Sequence, residues 1–163
     1  CFSILYKYII MNEIVKRGSA YITSLTIITI VYVYILNLPG FITQANGLVK
    51  EYYYDNAVSS FVLDIFLIAA YISLAMYISS ALKIKGNDNT GQLIVLFLTT
   101  IMVSGSFMLY FKMGNSLGTF FSRWFKNVGY KAIVYDVFLI CSVYILMLIV
   151  YKSQIFERII SGM

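Results

Sequence analysis

The chain has 163 residues, 61% of them hydrophobic and 12% charged, with a formal net charge of +5 and a mean hydropathy of +0.85. Soluble domains carry about 45–50% apolar and about 25% charged residues, so this chain cannot clothe a water-facing surface, and its solvent is a bilayer. It has no histidine, the commonest general base and metal ligand. Its two cysteines, Cys1 and Cys141, are too few for a disulfide framework or a thiolate zinc site.

Near the start, Met11 precedes Asn12, Glu13, Lys16 and Arg17 and offers an internal start. Residues 1–10 (CFSILYKYII) are then an upstream stretch or an extension, and both readings stay open. Crossing about 30 Å of hydrocarbon takes about 20 helical residues. The first run that qualifies, residues 19–38, is uncharged and ends at Pro39-Gly40, which reads as a stop. No small-x-small cleavage site follows it cleanly, so it reads as a retained span and not as a cleaved signal. The second run, residues 57–82, carries one charge, Asp64. The third, residues 92–111, is uncharged and contains Ser104-Gly105-Ser106, small residues that read as a site of close helix packing. The fourth, residues 132–151, carries Asp136 and stops at Lys152. Barrel strands would alternate and be shorter, and backbone groups in lipid must pair within their own segment. The expected fold is an all-α membrane protein with four transmembrane helices forming a single domain.

Four spans place both termini and the 83–91 loop on one side, with Lys7, Lys16, Arg17, Lys83, Lys85, Lys152 and Arg158. Lys50, Lys112, Arg123, Lys126 and Lys131 lie on the other. The bias favours termini on the cytosolic side. Between spans three and four, residues 118–130 (GTFFSRWFKNVGY) repeat apolar residues at helical spacing. Phe120, Phe121, Trp124, Phe125 and Val128 share one face, and Ser122, Arg123, Lys126 and Asn127 take the other. This predicts a short amphipathic helix in the headgroup layer, aromatics down and cations toward lipid phosphate. Tyr52-Tyr53-Tyr54 is expected at the same level, in an aromatic belt. The segment reads either as a docking patch (Phe121, Arg123, Trp124, Phe125, Lys126 and Lys131) or as an anchor that fixes the depth of the bundle.

Aligning Asp64 with Asp136 gives an offset of 72 residues, at which VLDIFLI (62–68) and VYDVFLI (134–140) share five of seven positions. The same offset lays Tyr52-Tyr53 against Trp124-Phe125. Spans one and three match poorly, so the signal is a partial two-plus-two direct repeat, its halves related by an axis along the membrane normal.

A carboxylate within a span costs roughly 2.5–3.5 kcal/mol at the bilayer centre, which makes it a functional candidate by default. By helical rise Asp64 lies about 10 Å into its span and Asp136 about 6 Å, both near helix N-termini where the macrodipole favours negative charge. One reading pairs each aspartate with a basic residue of the interfacial loop, or makes it a helix cap. The other makes them a proton or cation site where two like-charged carboxylates converge. Ser60, Tyr71 and Ser79 share the Asp64 face, whereas Val143 and Met147 leave the Asp136 face apolar. No catalytic constellation, phosphate loop, metal cluster or cofactor motif occurs, so no enzymatic activity and no cofactor is expected. The basic charge sits at membrane edges, where lipid headgroups account for it and nucleic acid is not called for.

Residues 120–136 (FFSRWFKNVGYKAIVYD), running into VFLICSVYILMLIVYK, together with the Leu63-Asp64 span, resemble small multispanning virion membrane proteins of nucleocytoplasmic large DNA (giant) viruses. The vocabulary rich in Ile, Tyr, Asn and Lys is similar too. The resemblance covers about the last third of the chain. It implies a structural protein of the virion's internal membrane, linking that membrane to minor capsid proteins through Arg123, Trp124, Lys126 and their neighbours. Its partners would be the lipid bilayer, capsid or other membrane proteins and further copies of itself. The competing function is a small ion- or proton-translocating channel or transporter subunit using Asp64 and Asp136.

Overall fold

The computed structural model describes residues 2–114 and 118–153; Cys1 and Arg158, noted above, lie outside them. Helix α1 (Phe2–Thr29) passes into a π-helical stretch, Ile30–Ile35. Two short helices follow, α2 (Leu38–Thr43) and α3 (Asn46–Lys50), and a second π-helical stretch, Glu51–Asp55. The long helices α4 (Ala57–Ala81), α5 (Asn89–Met113) and α7 (Tyr130–Lys152) complete the bundle, with α6 (Phe120–Val128) between the last two. Four segments are long and apolar enough to cross a membrane: Glu13–Ile35, Ala57–Ala81, Asn89–Met113 and Tyr130–Lys152. Among the described residues no strand occurs.

The first helix starts well before the apolar run at residue 19, because charged side chains do not interrupt a helix whose ends reach water. Those charges are used. Arg17 places its guanidinium 5.3 Å from the Tyr151 ring centre, and Tyr151 donates a hydrogen bond to Glu13, tying the start of span one to the end of span four. The expected stop at Pro39-Gly40 falls elsewhere. The π-helical stretch ends at Ile35, Asn37 turns left-handed at φ 47°, and Pro39 then lies in the first turn of α2. Proline suits that position, because the first N–H groups of a helix have no intrahelical partner. Gly40 lets the Asn37 amide pack over it: a Cβ would lie 2.7 Å from the Asn37 Oδ1, and that side chain would have to shift.

Helix α7 packs against α1 on one side and α5 on another, and α5 packs against α4. Small and branched residues fill the seams: Ala20, Leu25, Ala75, Leu96 and Val143 are fully buried. The outer surface is apolar, with Val58 80%, Tyr77 75%, Phe66 70% and Met102 70% exposed. Water would not tolerate so continuous an apolar exterior, and lipid does. The architecture fits a multi-pass integral membrane protein.

Candidate functional site

The two span carboxylates meet at one cavity. Asp64 shares its helix face with buried Ser60, Tyr71 and Ser79, as the spacing predicts. Asp136 follows buried Tyr135 on α7 and is itself partly buried. Both line a cavity of about 130 Å³. Tyr52, Tyr53, Tyr71 and Tyr135 contribute hydroxyl-bearing rings to its wall, and Leu67, Ile68, Leu139 and Ile140 contribute alkyl groups. Six more aromatic residues, Phe107, Phe111, Phe120, Phe121, Trp124 and Phe125, close the remaining side.

Neutral hydroxyls, not cations, hold the carboxylates. Tyr52 donates to Asp64 Oδ1 at 2.8 Å. Ser104 donates to Asp136 Oδ2 at 2.6 Å. That uses the single proton of Ser104, so its 2.9 Å contact with Tyr71 runs from the Tyr71 hydroxyl to the serine oxygen. The Tyr53 and Tyr135 hydroxyls lie 2.8 Å apart beside this chain. The expected pairing of each aspartate with a loop cation is therefore corrected. No lysine or arginine lines the cavity, and the salt bridge among the described residues is Arg123–Glu51. The cause is depth: Lys112, Arg123 and Lys126 are exposed at the end of the bundle, beyond a layer of aromatic rings.

The aromatic layer corrects a second expectation. Helix α6 forms as its spacing predicts, opened by Thr119, whose hydroxyl accepts from the Ser122 N–H at 3.3 Å. Its apolar face, however, meets the bundle and not the headgroup layer. Trp124 and Phe125 are only 6% and 5% exposed, and Ser122, assigned to the polar face, is buried too. Phe125 stacks on Phe107 and Phe111 at 6.3 and 6.0 Å, and Phe120 stacks on Tyr52 at 4.7 Å. Amphipathic spacing says only that a face leaves water, and protein rings satisfy that face as well as lipid does.

Tyr52 and Tyr53 likewise leave the expected belt for the core, while Tyr54 stays exposed. The π-helical stretch that carries them closes with a bond from Asn56 N–H to the Glu51 carbonyl at 3.1 Å. Its wider turn brings consecutive side chains closer in angle, so both rings face inward. Burial pushes both hydroxyls well above the usual tyrosine range, so they keep their protons and remain donors. The two π-helical stretches also join: the Tyr34 hydroxyl donates to the Tyr53 carbonyl at 2.9 Å.

Of the proposed docking residues, Trp124 and Phe125 are buried and Phe121 is partly buried on the cavity wall. Arg123 is committed to a bidentate pair with Glu51 at 2.8 and 2.5 Å. The arginine's hydrogen bonds and charge hold the Glu51 carboxyl below the usual glutamate range. Lys131 donates to the Gln44 Oε1 at 2.6 Å. Lys126 remains exposed on the outer edge. Two crevices lead inward. One, lined by Thr26, Thr29, Tyr34 and Phe61, reaches Asp64 from between α1 and α4. The other runs from Glu51, Asn56 and Ser59 to Tyr52, Phe120 and Phe121, which it shares with the main cavity.

Sequence reasoning missed Ser104 as a ligand of Asp136, because Ser-Gly-Ser in a span also reads as close packing. Gly105 is indeed near α7, with a Cβ position 3.9 Å from Ile133, so the motif serves both ends. Among the described residues no cluster of three or more acidic or sulfur side chains forms that would hold a metal ion. No family model matches the chain, and comparison with the curated proteins and with the solved structures gives no match. The fold and site thus define the class alone: an all-α protein whose four long apolar helices fit a multi-pass membrane protein, enclosing a cavity with two carboxylates.

Proposed function

We propose that the chain is a small proton- or cation-translocating membrane subunit, with Asp64 and Asp136 as its binding site. One observation carries this reading: two carboxylates from different spans line a single cavity whose wall has no basic residue. Each carboxylate is costly at this depth, and a purely architectural pair would be expected to recruit the nearby cations. Hydroxyl donors orient the carboxylate oxygens without cancelling their charge, which leaves that charge for a proton or another cation. The crevices at Thr26–Thr29 and at Glu51–Ser59 reach Asp64 and Tyr52 from two directions. The test is ion or proton flux in liposomes containing the native chain or the near-isosteric variants Asp64→Asn and Asp136→Asn. Flux that falls at least about tenfold in either variant, a loss of about 1.4 kcal/mol, is the expected result. Flux that is absent, or equal in all three proteins, overturns the proposal.

A second reading keeps one observation in its favour. Lys126 is exposed on the outer edge of α6, a cationic margin that suits a structural role in a virion's internal membrane against minor capsid proteins. That role rests otherwise on the resemblance of the last third of the chain. Its test is purification of particles: absence of the chain from the particle membrane would end it.

A further inference from the structure

The cavity is built for a particular kind of cation. A site for a bare metal ion or a hydrated alkali cation presents oxygens on all sides at close range, whereas here two carboxylates and the tyrosine hydroxyls share a wall that is mostly alkyl and aromatic. Phe107, Phe111, Phe120, Trp124 and Phe125 line it from α5 and α6, with Tyr135 from α7. Phe120 and Trp124 stack at 5.7 Å, and Tyr135 meets Trp124 edge-on at 6.4 Å, so the rings form a continuous wall. Aromatic faces attract cations through the ring quadrupole, most of all cations too weakly hydrated to resist desolvation. Alkyl-substituted ammonium groups meet that condition, and small inorganic cations do not. Size agrees as well: the cavity holds about 130 Å³, near the roughly 150 Å³ of an apolar cavity that takes up benzene.

We infer that the cavity between Asp64, Asp136 and the α5–α6 aromatic wall binds a substituted ammonium ion, its charged head between the carboxylates and its apolar substituents against the rings. The inference rests on the cation-site reading above and names the ligand class. The crevice beside Ser59 lies against the same Tyr52, Phe120 and Phe121 rings that line the cavity. Tyr52 and Ser104 each donate to one carboxylate oxygen, which leaves the remaining lone pairs for the ligand.

The chain supplies its own reporter, because Trp124 is the one tryptophan it contains and it lines the cavity. The intact protein in lipid nanodiscs is titrated with phenyltrimethylammonium, with its uncharged isostere tert-butylbenzene, and with sodium ion, following tryptophan emission. A saturable response to the ammonium ion is expected, at least about tenfold weaker for the neutral isostere. Sodium is expected to give no response at the same concentration. The Asp64→Asn, Asp136→Asn double variant is expected to lose the difference between charged and neutral ligands. An equal response to the isostere in the native chain, or no saturable response, overturns the inference, and neither result depends on the variant folding. Aspartate-dependent flux of protons without ammonium binding leaves the translocation reading standing and removes this one. Ammonium binding with flux insensitive to both aspartates does the reverse.

Discussion

The two carboxylates are chemically alike and are held by unlike parts of the molecule. Asp136 is tied into the bundle: Ser104 of α5 donates to it and Tyr71 of α4 donates to Ser104, so three spans meet in one hydrogen-bonded chain. Asp64 is tied to the edge of the membrane, through Tyr52 on the π-helical stretch before α4. The first arrangement welds helices together, and the second couples a span to an interfacial element. A disturbance inside the bundle should therefore register at Asp136 as lost stability, and one at the interface should register at Asp64 as altered function.

The largest stability effect that separates the two is expected from Ser104→Ala. It orphans a buried carboxylate oxygen and the Tyr71 hydroxyl together, at about 1–3 kcal/mol each and about 2–6 kcal/mol in sum. Reversible unfolding in mixed micelles measures it. A loss under about 1 kcal/mol would show that Asp136 is not welded as described. Gly129→Ala comes next. Gly129 joins α6 to α7 at φ 61°, ψ −133°, a conformation that side chains resist, and about 1–3 kcal/mol is expected. An unchanged melting temperature would mean the turn is not strained. Tyr52→Phe removes one donor while keeping the ring stacked on Phe120, for about 1–2 kcal/mol. It is expected to change flux more than Ser104→Ala does for the same loss of stability, and the reverse order would cancel the contrast.

The smallest effect is expected from Arg123→Gln, because the Glu51 pair is exposed and salt screens it. Its pH dependence has a definite sign. The Glu51 carboxyl titrates lower in the folded chain than in the unfolded one, so its contribution is present above the ordinary glutamate range. That contribution is lost as pH falls through the lowered value. Native and Arg123→Gln proteins should therefore converge in stability at acid pH and differ most at neutral pH and low salt. A difference independent of pH would assign the effect to something other than this pair.

Most of the architecture is legible in the sequence, for a physical reason. An apolar run of about 20 residues can satisfy its backbone in lipid only as a helix, so the spans, α6 and both aspartates stand out by composition. Direction is what composition does not carry. Trp124 and Phe125 show the same helical spacing whether their face meets lipid or protein, and Tyr52-Tyr53-Tyr54 looks like a belt until a π-helical turn carries two of its rings inward. The partner of Asp136 was hidden because a serine in a Ser-Gly-Ser motif has two uses and the motif suggests one. Residues 72 positions apart do come together at the site. Asp64 and Asp136, and Tyr52-Tyr53 and Trp124-Phe125, line one cavity. Glu51 and Arg123, separated by the same 72 positions, pair with each other.

A single residue separates α6 from α7, since α6 ends at Val128 and α7 begins at Tyr130. A linkage that short has almost no slack. A displacement of α6 passes directly into the first turns of α7. Asp136 lies six residues beyond Tyr130, about 9 Å along the helix, and so within reach of that displacement. The orientation of α6 and the geometry of the Asp136 carboxylate are thereby linked through one residue of backbone.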